Sequence, residues 1–316
     1  MSATAQAVGG FVKDFGRTAA LYMESCIHCG MCAEACHFHE VTGDPKYTPI
    51  WKIEPFKQAY KRNYGPFAPF YRAFNLKREP TEEQLREWQH LLFDSCNVCG
   101  RCSLMCPMGI DIAGLISAAR RGMAQAGLAP RELREAPAAP GDFRERLARL
   151  AREHRVEIPV DKAKASILCA SSRDELERYP QSIVATARLM KHVGADWTCR
   201  ADASEAGMTR QLIDAALACG AATLVLPECG RAYGALRWEG ANQYGKPLPF
   251  RVLHLSEFLA EGVRDGKLRL KKLAKSAAFH DPCQVSRRGG AIDAPRAVLA
   301  ALGVELKEMF PAKGTN

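Results

Sequence analysis

Two runs of four cysteines in this sequence have the same spacing, C-x2-C-x2-C-x3-C. A short loop with a thiolate at every third residue can bind three corners of a 4Fe-4S cube, and the fourth cysteine, on the following helix, reaches the neighbouring cube. The spacing therefore predicts two clusters that exchange their fourth ligands. The predicted ligands are Cys26, Cys29, Cys32 and Cys106 for the first cluster, and Cys96, Cys99, Cys102 and Cys36 for the second.

Zinc is the alternative metal, because C-x2-C pairs also bind zinc. A zinc knuckle takes two cysteines from each loop, whereas each run here supplies four in the same phase, which favours iron-sulfur clusters. Gly30 and Gly100 lie where the backbone must approach a cube closely. Cys36 is followed by His37, where the common pattern has a proline such as Pro107; this weakens the turn but removes no ligand.

Three histidines, His28, His37 and His39, lie beside the first run. Histidines in such positions are more often surface residues or hydrogen-bonding neighbours than ligands. We therefore expect none of them to bind iron.

Three further cysteines, Cys169, Cys199 and Cys229, follow one another at intervals of thirty residues, and each ends a predicted strand. A βα unit takes about thirty residues, so this rhythm places one cysteine per unit at the ligand-binding edge of a parallel sheet. Cys283, which ends the segment AAFHDPC, is expected at the same edge. Four converging thiolates could hold a further metal centre and form the catalytic site. Taken alone, each of these cysteines would more often be a buried small hydrophobe.

Other residues near this edge have two readings. Cys219 lies inside a predicted helix and is expected in the core. Glu228 and His280 could assist proton transfer or simply form hydrogen bonds, while Asp281 and Pro282 predict a turn that exposes Cys283.

The elements that must position these residues differ between the two halves of the chain. The first half predicts helices at residues 11–24, 81–93 and 112–126. In the second half, apolar strand-like segments alternate with helices, which predicts a parallel, doubly wound sheet. The segments are ASILC, DWTC, TLVLPEC, FRVLHL and AAFHDPC, and the helices are residues 181–193, 206–219, 231–243, 257–264 and 294–302.

The fold class is accordingly multidomain, with an α-helical ferredoxin-like domain followed by an α/β parallel-sheet, cysteine-rich domain. The first domain is assigned to residues 1–136, with a basic aromatic insert at 37–95. Residues 137–163 are predicted to form a Pro/Gly-rich linker and a bridging helix. Residues 164–316 form the second domain, whose second cysteine-rich module is expected to be incomplete.

The basic charge is concentrated in the insert, since residues 46–78 contain eight Lys or Arg and the single acid Glu54 in a chain of net charge +9. Aromatic and basic residues together suit lipid headgroups or the cytoplasmic face of a membrane subunit. An equal alternative is that the insert packs its aromatics over the clusters and offsets their negative charge. Single-stranded nucleic acid would also suit this composition, but no nucleic-acid partner is expected.

Composition places the chain in a reducing compartment. The most apolar long stretch, residues 215–227, is far shorter than the ~20 residues of a membrane span, and no secretory signal is evident. Thirteen cysteines without export are expected to stay reduced, and an odd number cannot all pair. The expected location is cytoplasmic, peripheral on the inner face of the cell membrane.

Two longer motifs carry a family resemblance: PECGRAYGALRWEGAN at residues 227–242 and HDPCQVSRRGG at residues 280–290. With the two cysteine runs, they resemble the iron-sulfur subunits related to the catalytic subunit of heterodisulfide reductase. ALRWEG, PLPFRVLHLSEFL and HDPCQVSRRGG are similar to the DsrK-type branch, from the membrane complex associated with dissimilatory sulfite reductase. The resemblance covers nearly the whole chain.

This resemblance implies an oxidoreductase subunit that passes electrons between a quinone-linked membrane cytochrome of the DsrM type and a special 4Fe-4S centre. That centre acts on a disulfide or trisulfide of a small sulfur-carrier protein of the DsrC type. The eight cysteines of the two runs match the family's relay clusters. The positions that match its cysteine-rich modules are Cys169, Cys199, Cys229 and Cys283.

The sequence departs from the fuller family pattern in two places. Cys199 is followed by Arg200 instead of a second cysteine, and Leu226 replaces the first cysteine of the pair that ends at Cys229. The next ligand after Cys283 would fall near or beyond Asn316, so the chain is expected to be truncated and a third 4Fe-4S centre to need further ligands.

Two other function classes stay open. One is an iron-sulfur relay subunit of a glycolate- or lactate-type flavin dehydrogenase, although no Gly-rich nucleotide fingerprint is visible. The other is a scaffold with structural metal.

Overall fold

The computed structural model describes residues 3–74, 76, 81–134, 142–200, 208–227 and 231–309. The chain divides into two compact units, Met1–Pro137 and Ala138–Asn316. Each unit has its own apolar core. In the described part of the chain, no helix combines the length and the apolar character that a membrane crossing requires.

The first unit is helical. Short 3-10 turns occur at Pro45–Tyr47 and Trp51–Ile53, and a π-helical turn at His90–Asp94. Its α-helices are α1 Ala3–Ser25, α2 Met31–Glu34, α3 His37–Thr42, α4 Glu54–Asn63, α5 Ala68–Ala73, α6 Glu82–Gln89, α7 Arg101–Leu104, α8 Ile112–Gln125 and α9 Arg131–Arg134.

The helix α1 begins eight residues earlier than the sequence predicts and continues through Gly9 and Gly10, of which Gly10 lies at a close crossing with α8. A side chain at Gly10 would meet the side-chain oxygen of Gln125 and, at 3.3 Å, the backbone of Gly122 on α8. A side chain at Gly122 would collide with the carbonyl oxygen of Ala7. The α1–α8 crossing therefore brings the two backbones together at glycine, and it buries Phe11 in the core of the first unit.

We expect Gly122→Ala to destabilise the first unit by about 1–3 kcal/mol, because the new methyl group meets backbone that can yield only if the helices separate. The matched control is Gly9→Ala, whose methyl group would lie 2.8 Å from the hydroxyl of Tyr64, the movable end of a side chain. Urea unfolding of both variants, followed by circular dichroism, measures the difference. Equal midpoints for the two variants would contradict the close crossing.

The second unit contains a four-stranded parallel sheet in the order β2-β1-β3-β4, which confirms the predicted parallel sheet. Its strands are β1 Ile167–Ala170, β2 Trp197–Arg200, β3 Thr223–Leu226 and β4 Arg251–His254. Its helices are α10 Phe143–His154, α11 Arg173–Arg178, α12 Pro180–His192, α13 Met208–Cys219, α14 Arg231–Tyr244, α15 Leu255–Arg264 and α16 Asp293–Ala301. Helix ends agree with prediction to within two residues wherever residues are described.

Helices cover both faces of this sheet. On one face, Leu168 and Leu224 pack with residues of α13 and α14. On the other face, Cys169 and Cys199 pack with residues of α10 and α12. This division follows from the alternation of side chains along a strand, which sends neighbouring residues to opposite faces.

The predicted bridging helix forms as α10 and belongs to the core of the second unit. Asp142 caps it by accepting a hydrogen bond from the backbone N–H of Arg144 at 2.9 Å. Phe143, Leu147 and Leu150 are buried with the strands of the sheet. The charged face that suggested a linker is the solvent side of an amphipathic helix.

The segment AAFHDPC does not join the four-stranded sheet, so the prediction that it extends this sheet is wrong. Its strand β5, Ser276–Ala278, pairs in parallel with β6, Glu305–Lys307, which the sequence analysis missed. The residues of β5 are all exposed. Strands inside a parallel sheet are buried on both faces. The small, exposed residues of β5 do not have this burial, which agrees with their place in a separate two-stranded sheet.

Candidate iron-sulfur centres

The two cysteine runs fold into the same loop. His28 and Val98, each before the second cysteine of its run, have positive φ angles of 54° and 52°. Gly30 and Gly100 follow with φ of 81° and 82° and precede the four-residue helices α2 and α7. A left-handed conformation is unfavourable for a β-branched residue such as Val98, so the surrounding structure must hold this turn. Gly30 and Gly100 line the two cysteine cavities, and the close approach of their backbone to a cube stays a prediction.

The eight cysteines surround two cavities, and the grouping is the exchanged one that the spacing predicts. Cys106 joins the first run, while Cys36 joins the second. Counted together with the open solvent at their mouths, the empty spaces amount to about 330 Å³ and about 360 Å³. The cavities are lined by Cys26, Cys29, Cys32 and Cys106, and by Cys36, Cys96, Cys99 and Cys102.

This arrangement fits a pair of cubes. Among the described residues, no three His, Cys, Asp or Glu side chains converge on a single metal ion. In a cube each thiolate binds a different iron atom, so four cysteines spread around a cavity are the expected donor set. Burial raises the pKa of the thiols of Cys32 and Cys96, and that of Cys102 to about 12. Coordination to a metal deprotonates such thiols.

The first cavity has an apolar wall. Besides its cysteines, Ile50, Met108, Ile110 and Ile112 line it. His28 also contributes to the lining, whereas none of the described Lys, Arg, Asp or Glu residues does. Ile50 comes from the insert, so this segment contributes directly to the cavity wall.

The second cavity has a buried cation in its wall. Lys52 is only 2% exposed, donates a hydrogen bond to the carbonyl oxygen of Ser95, and places its Nζ 3.9 Å from the Sγ of Cys36. Arg120 donates hydrogen bonds to the carbonyl oxygens of Leu92, at 2.6 Å, and Cys96. A buried ammonium group needs a negative partner, and a cluster bound by four thiolates supplies one.

The two runs end differently, as the sequence indicates. Cys36 is the N-cap of α3, with φ −99° and ψ 111°, whereas Cys106 leads through Pro107 into a turn. His37 lines the second cavity, and one of its ring nitrogens lies 3.3 Å from the side-chain nitrogen of Asn97. This contact confirms the expectation that His37 is a hydrogen-bonding neighbour.

The basic aromatic insert has an inner and an outer part. Ile53, Phe56 and Trp88 are buried in the core of the first unit, which agrees with an insert packed against the cysteine loops. Phe67 and Phe74, in contrast, are about two-thirds exposed. The inner part therefore agrees with the packing alternative, whereas docking of the outer part to lipid or to a membrane subunit stays a prediction.

The described cysteines of the α/β unit differ in position and in burial. Cys169 and Cys199 are register partners on β1 and β2, and both are almost completely buried. Burial raises the pKa of both thiols, that of Cys199 to about 12. Cys219 is in the core, as predicted. Cys229 and Glu228 lie outside the described residues.

Cys283 does not lie at the end of a strand of the main sheet, in contrast to the prediction. It is partly exposed in a turn after β5, and Arg287 donates a hydrogen bond to its Sγ at 2.9 Å. Val285 anchors this turn on the sheet face opposite to Cys169 and Cys199. The described residues therefore do not gather these cysteines at one point, because strand alternation separates the faces.

The residues Asp281 and Pro282 precede a turn in which Cys283 is partly exposed, as predicted. His280 is exposed, whereas Asp281 is completely buried and accepts two hydrogen bonds from Arg296, at 2.8 and 2.7 Å. Asp281 therefore anchors the turn that carries Cys283 in addition to shaping it.

A polar network at the end of β4 was missed by the sequence analysis. Tyr233 donates a hydrogen bond to Glu257 at 2.6 Å, and Arg237 donates to the same carboxylate at 2.7 Å. Burial would raise the pKa of Glu257, but these hydrogen bonds and that from the backbone N–H of His254 lower it. The motifs PECGRAYGALRWEGAN and PLPFRVLHLSEFL supply these residues, but only the fold shows that they meet.

His254, at the end of β4, makes the second unit sensitive to acid. Its Nδ1 accepts a hydrogen bond from the backbone N–H of Ser256 at 3.2 Å and caps α15. Burial lowers its pKa from 6.5 to about 4. In the unfolded chain this histidine is protonated below about pH 6.5, whereas in the folded protein it stays neutral down to about pH 4. The free energy of unfolding therefore falls as the pH decreases from about 6.5 to about 4.

We expect His254→Asn to flatten this pH dependence, because asparagine keeps a capping oxygen but does not titrate. Urea midpoints at pH 7 and pH 5 measure the effect, and exposed His192 provides the control variant His192→Asn. An unchanged difference between the two midpoints in His254→Asn would contradict the assignment.

Comparison with known proteins agrees with this geometry. Residues 22–110 match the family described as "4Fe-4S dicluster domain". The chain is 26% identical to a subunit of the dihydromethanophenazine:CoB-CoM heterodisulfide reductase of Methanosarcina mazei, over 95% of this chain and 78% of that protein. No solved structure matches the chain.

Two other relatives differ in how much of the chain they match. The Hdr-like menaquinol oxidoreductase iron-sulfur subunit 2 of Archaeoglobus fulgidus is 38% identical over 35% of this chain and 20% of that protein. The glycolate oxidase iron-sulfur subunit of Escherichia coli is 24% identical over 91% of this chain and 77% of that protein. The chain is thus homologous to iron-sulfur subunits of heterodisulfide reductase-like oxidoreductases and carries a 4Fe-4S dicluster domain.

Proposed function

We propose that this chain is the electron-relay subunit of a heterodisulfide reductase-like complex, with two 4Fe-4S clusters. The observation that carries the proposal is the pair of four-cysteine cavities with exchanged fourth ligands. Similarity to the heterodisulfide reductase subunit of Methanosarcina mazei over both units supports it. At the finer level, we propose a DsrK-type subunit on the inner face of the cell membrane. It would connect a quinone-linked cytochrome of the DsrM type to a disulfide or trisulfide on a DsrC-type sulfur carrier.

The chain's own residues are suited to a relay. When bound, a 4Fe-4S cluster takes up and releases single electrons. Burial is the main cause of the raised pKa of Cys102, and the thiol of Cys32, in the other cavity, raises it further, so ligands of the two cavities lie within electrostatic range of one another. The exchanged cysteines connect the cavities further, because each run contributes to both. Most of the eight thiols are buried or half-buried, which limits access of water and oxidants.

The sulfur chemistry would use the α/β unit. Among the described residues, Cys283 is the thiol of this unit that is partly exposed and held by a cation, Arg287. Cys169 and Cys199 are buried, so any role in a third centre would need the sheet to open or Cys229 to join them. We therefore propose two clusters per chain, and Cys283 as the cysteine of the α/β unit that a sulfur-carrying partner could reach.

The test is an anaerobic pull-down with the tagged, cluster-loaded chain. We expect a membrane cytochrome and a small cysteine-containing protein among the captured partners, and about eight iron atoms per chain. Capture of a flavin dehydrogenase subunit in their place would contradict the proposal. It would favour the alternative relay role that similarity to a glycolate oxidase subunit suggests. About twelve irons, with Cys169, Cys199, Cys229 and Cys283 protected from alkylation, would indicate a third cubane and contradict the two-cluster count.

The outer part of the insert gives a prediction for membrane attachment. Phe67, Phe70 and Phe74 are exposed beside the exposed base Arg72. We expect the chain to sediment with membranes only when its membrane partner is present, and to be released by high salt, since salt screens exposed charges. Arg72→Glu should release it at lower salt than Arg149→Glu, a change at an exposed arginine of α10. Sedimentation in high salt without the partner would disprove this mode of attachment.

A further inference from the structure

The buried lysine beside the second cavity has an unusual set of contacts. Lys52 lies with its Nζ 5.1 Å from the centre of the Phe38 ring and 5.8 Å from that of Tyr47. Its remaining contacts are the carbonyl oxygen of Ser95 and the Sγ of Cys36. In the described part of the chain, no carboxylate forms an ion pair with Lys52. Its charge is therefore directed at the cysteine cavity and at aromatic faces.

The two cavities differ in charge more than in shape. Among the residues that the structure describes, Lys52 is the single Lys, Arg, Asp or Glu that lines the second cavity. The guanidinium group of Arg120 donates a hydrogen bond to the carbonyl oxygen of Cys96, one of the cysteines that line this cavity. No described Lys, Arg, Asp or Glu lines the first cavity, where His28 is the titratable side chain besides the cysteines. The repeated loop is thus placed in two different electrostatic environments.

A fixed positive charge near a cluster acts on its reduction potential. Reduction adds one electron and makes the cluster one unit more negative, while no covalent bond breaks and no proton moves. A buried cation a few ångströms away stabilises the more negative state, because little solvent screens the interaction. A wall without a buried lysine or arginine offers no such stabilisation, and charge and exposure are among the features that set cluster potentials.

We propose that Lys52 raises the reduction potential of the cluster held by Cys36, Cys96, Cys99 and Cys102 above that of the cluster held by Cys26, Cys29, Cys32 and Cys106. The first electron to enter the chain then rests on the second cluster. This inference deepens the proposed relay function and rests on the binding of both clusters. Lys52 binds no iron in this proposal, and its ammonium group acts on the potential of the cluster by electrostatic attraction alone.

The test is a redox titration of the reconstituted full chain, followed by electron paramagnetic resonance with dithionite as the electron donor. In Lys52→Met and in Lys52→Gln, which keeps a donor for Ser95, we expect one midpoint to shift to a more negative potential and the other to stay in place. The matched control is Lys46→Met, which removes an exposed charge paired with Asp44 at 3.4 Å. Neither midpoint should move in this control.

Variants of the ligands assign the signals and keep the inference testable if the Lys52 variants lose iron. Cys36→Ser should remove the signal of higher potential from the otherwise unaltered protein, and Cys106→Ser the signal of lower potential. The reverse order, or unchanged midpoints in an iron-replete Lys52→Gln, would overturn the inference. Failure of the proposed function is distinguishable, because it appears in the partners captured by the pull-down and leaves these midpoints unaffected.

Discussion

The double variant Cys36→Ser, Cys99→Ser is expected to lose about four of about eight iron atoms and to keep one reduced-cluster signal, because one cubane holds four irons. Cys36 belongs to the first run and Cys99 to the second, yet both line the second cavity. Removing both therefore damages a single site, and the first cavity keeps all its ligands. Iron analysis and electron paramagnetic resonance after anaerobic reconstitution measure the result.

The companion variant Cys99→Ser, Cys106→Ser removes two cysteines of the second run, which line different cavities. It is expected to lose both signals and nearly all the iron. Cys219→Ala, in the core of the α/β unit, is the control and should keep both clusters. If each run held its own cluster, the two double variants would exchange their outcomes, and the exchanged ligand assignment would be wrong.

The cysteine grouping could be predicted from the sequence because it depends on local spacing. A repeated C-x2-C-x2-C-x3-C run determines which thiolates one loop can present, and the displaced fourth cysteine must reach elsewhere. The burial of Lys52 could not be predicted in this way. In a basic segment it resembles a solvated surface residue, and only the packing of the insert against the cysteine loops buries it.

The parallel sheet was predictable because its strands are short apolar segments separated by helices. Which strands belong to this sheet could not be predicted in full, because strand pairing is a long-range property. β5 pairs with β6, near the end of the described chain, and not with the main sheet. The thirty-residue rhythm indicated that Cys169 and Cys199 lie on successive strands of the chain, but not the order of these strands in the sheet or the face to which each side chain points. Alternation sends Cys169 and Cys199 into the core, away from the face on which Val285 packs.

The anchor of the Cys283 turn gives the largest expected effect on stability. Asp281 is 0% exposed, and both terminal nitrogens of Arg296 donate hydrogen bonds to its carboxylate. Arg296 also donates two hydrogen bonds to the carboxylate of Glu308, at 2.6 and 2.8 Å. These hydrogen bonds raise the pKa of Arg296. Arg296→Met removes the bidentate partner of a buried carboxylate, which typically costs about 3–5 kcal/mol.

We therefore expect Arg296→Met to lower the free energy of unfolding of the full chain by about 3–5 kcal/mol in urea titrations. Arg264→Met, which removes an exposed partner of Asp265, should change it by less than about 1 kcal/mol. The double variant Asp281→Leu, Arg296→Met should recover part of the loss, because it leaves no buried charge. Because Asp281 holds the turn before Cys283, alkylation of Cys283 should also become faster in Arg296→Met. A loss as small as that of Arg264→Met, with no change in alkylation, would show that the ion pair does not anchor this turn.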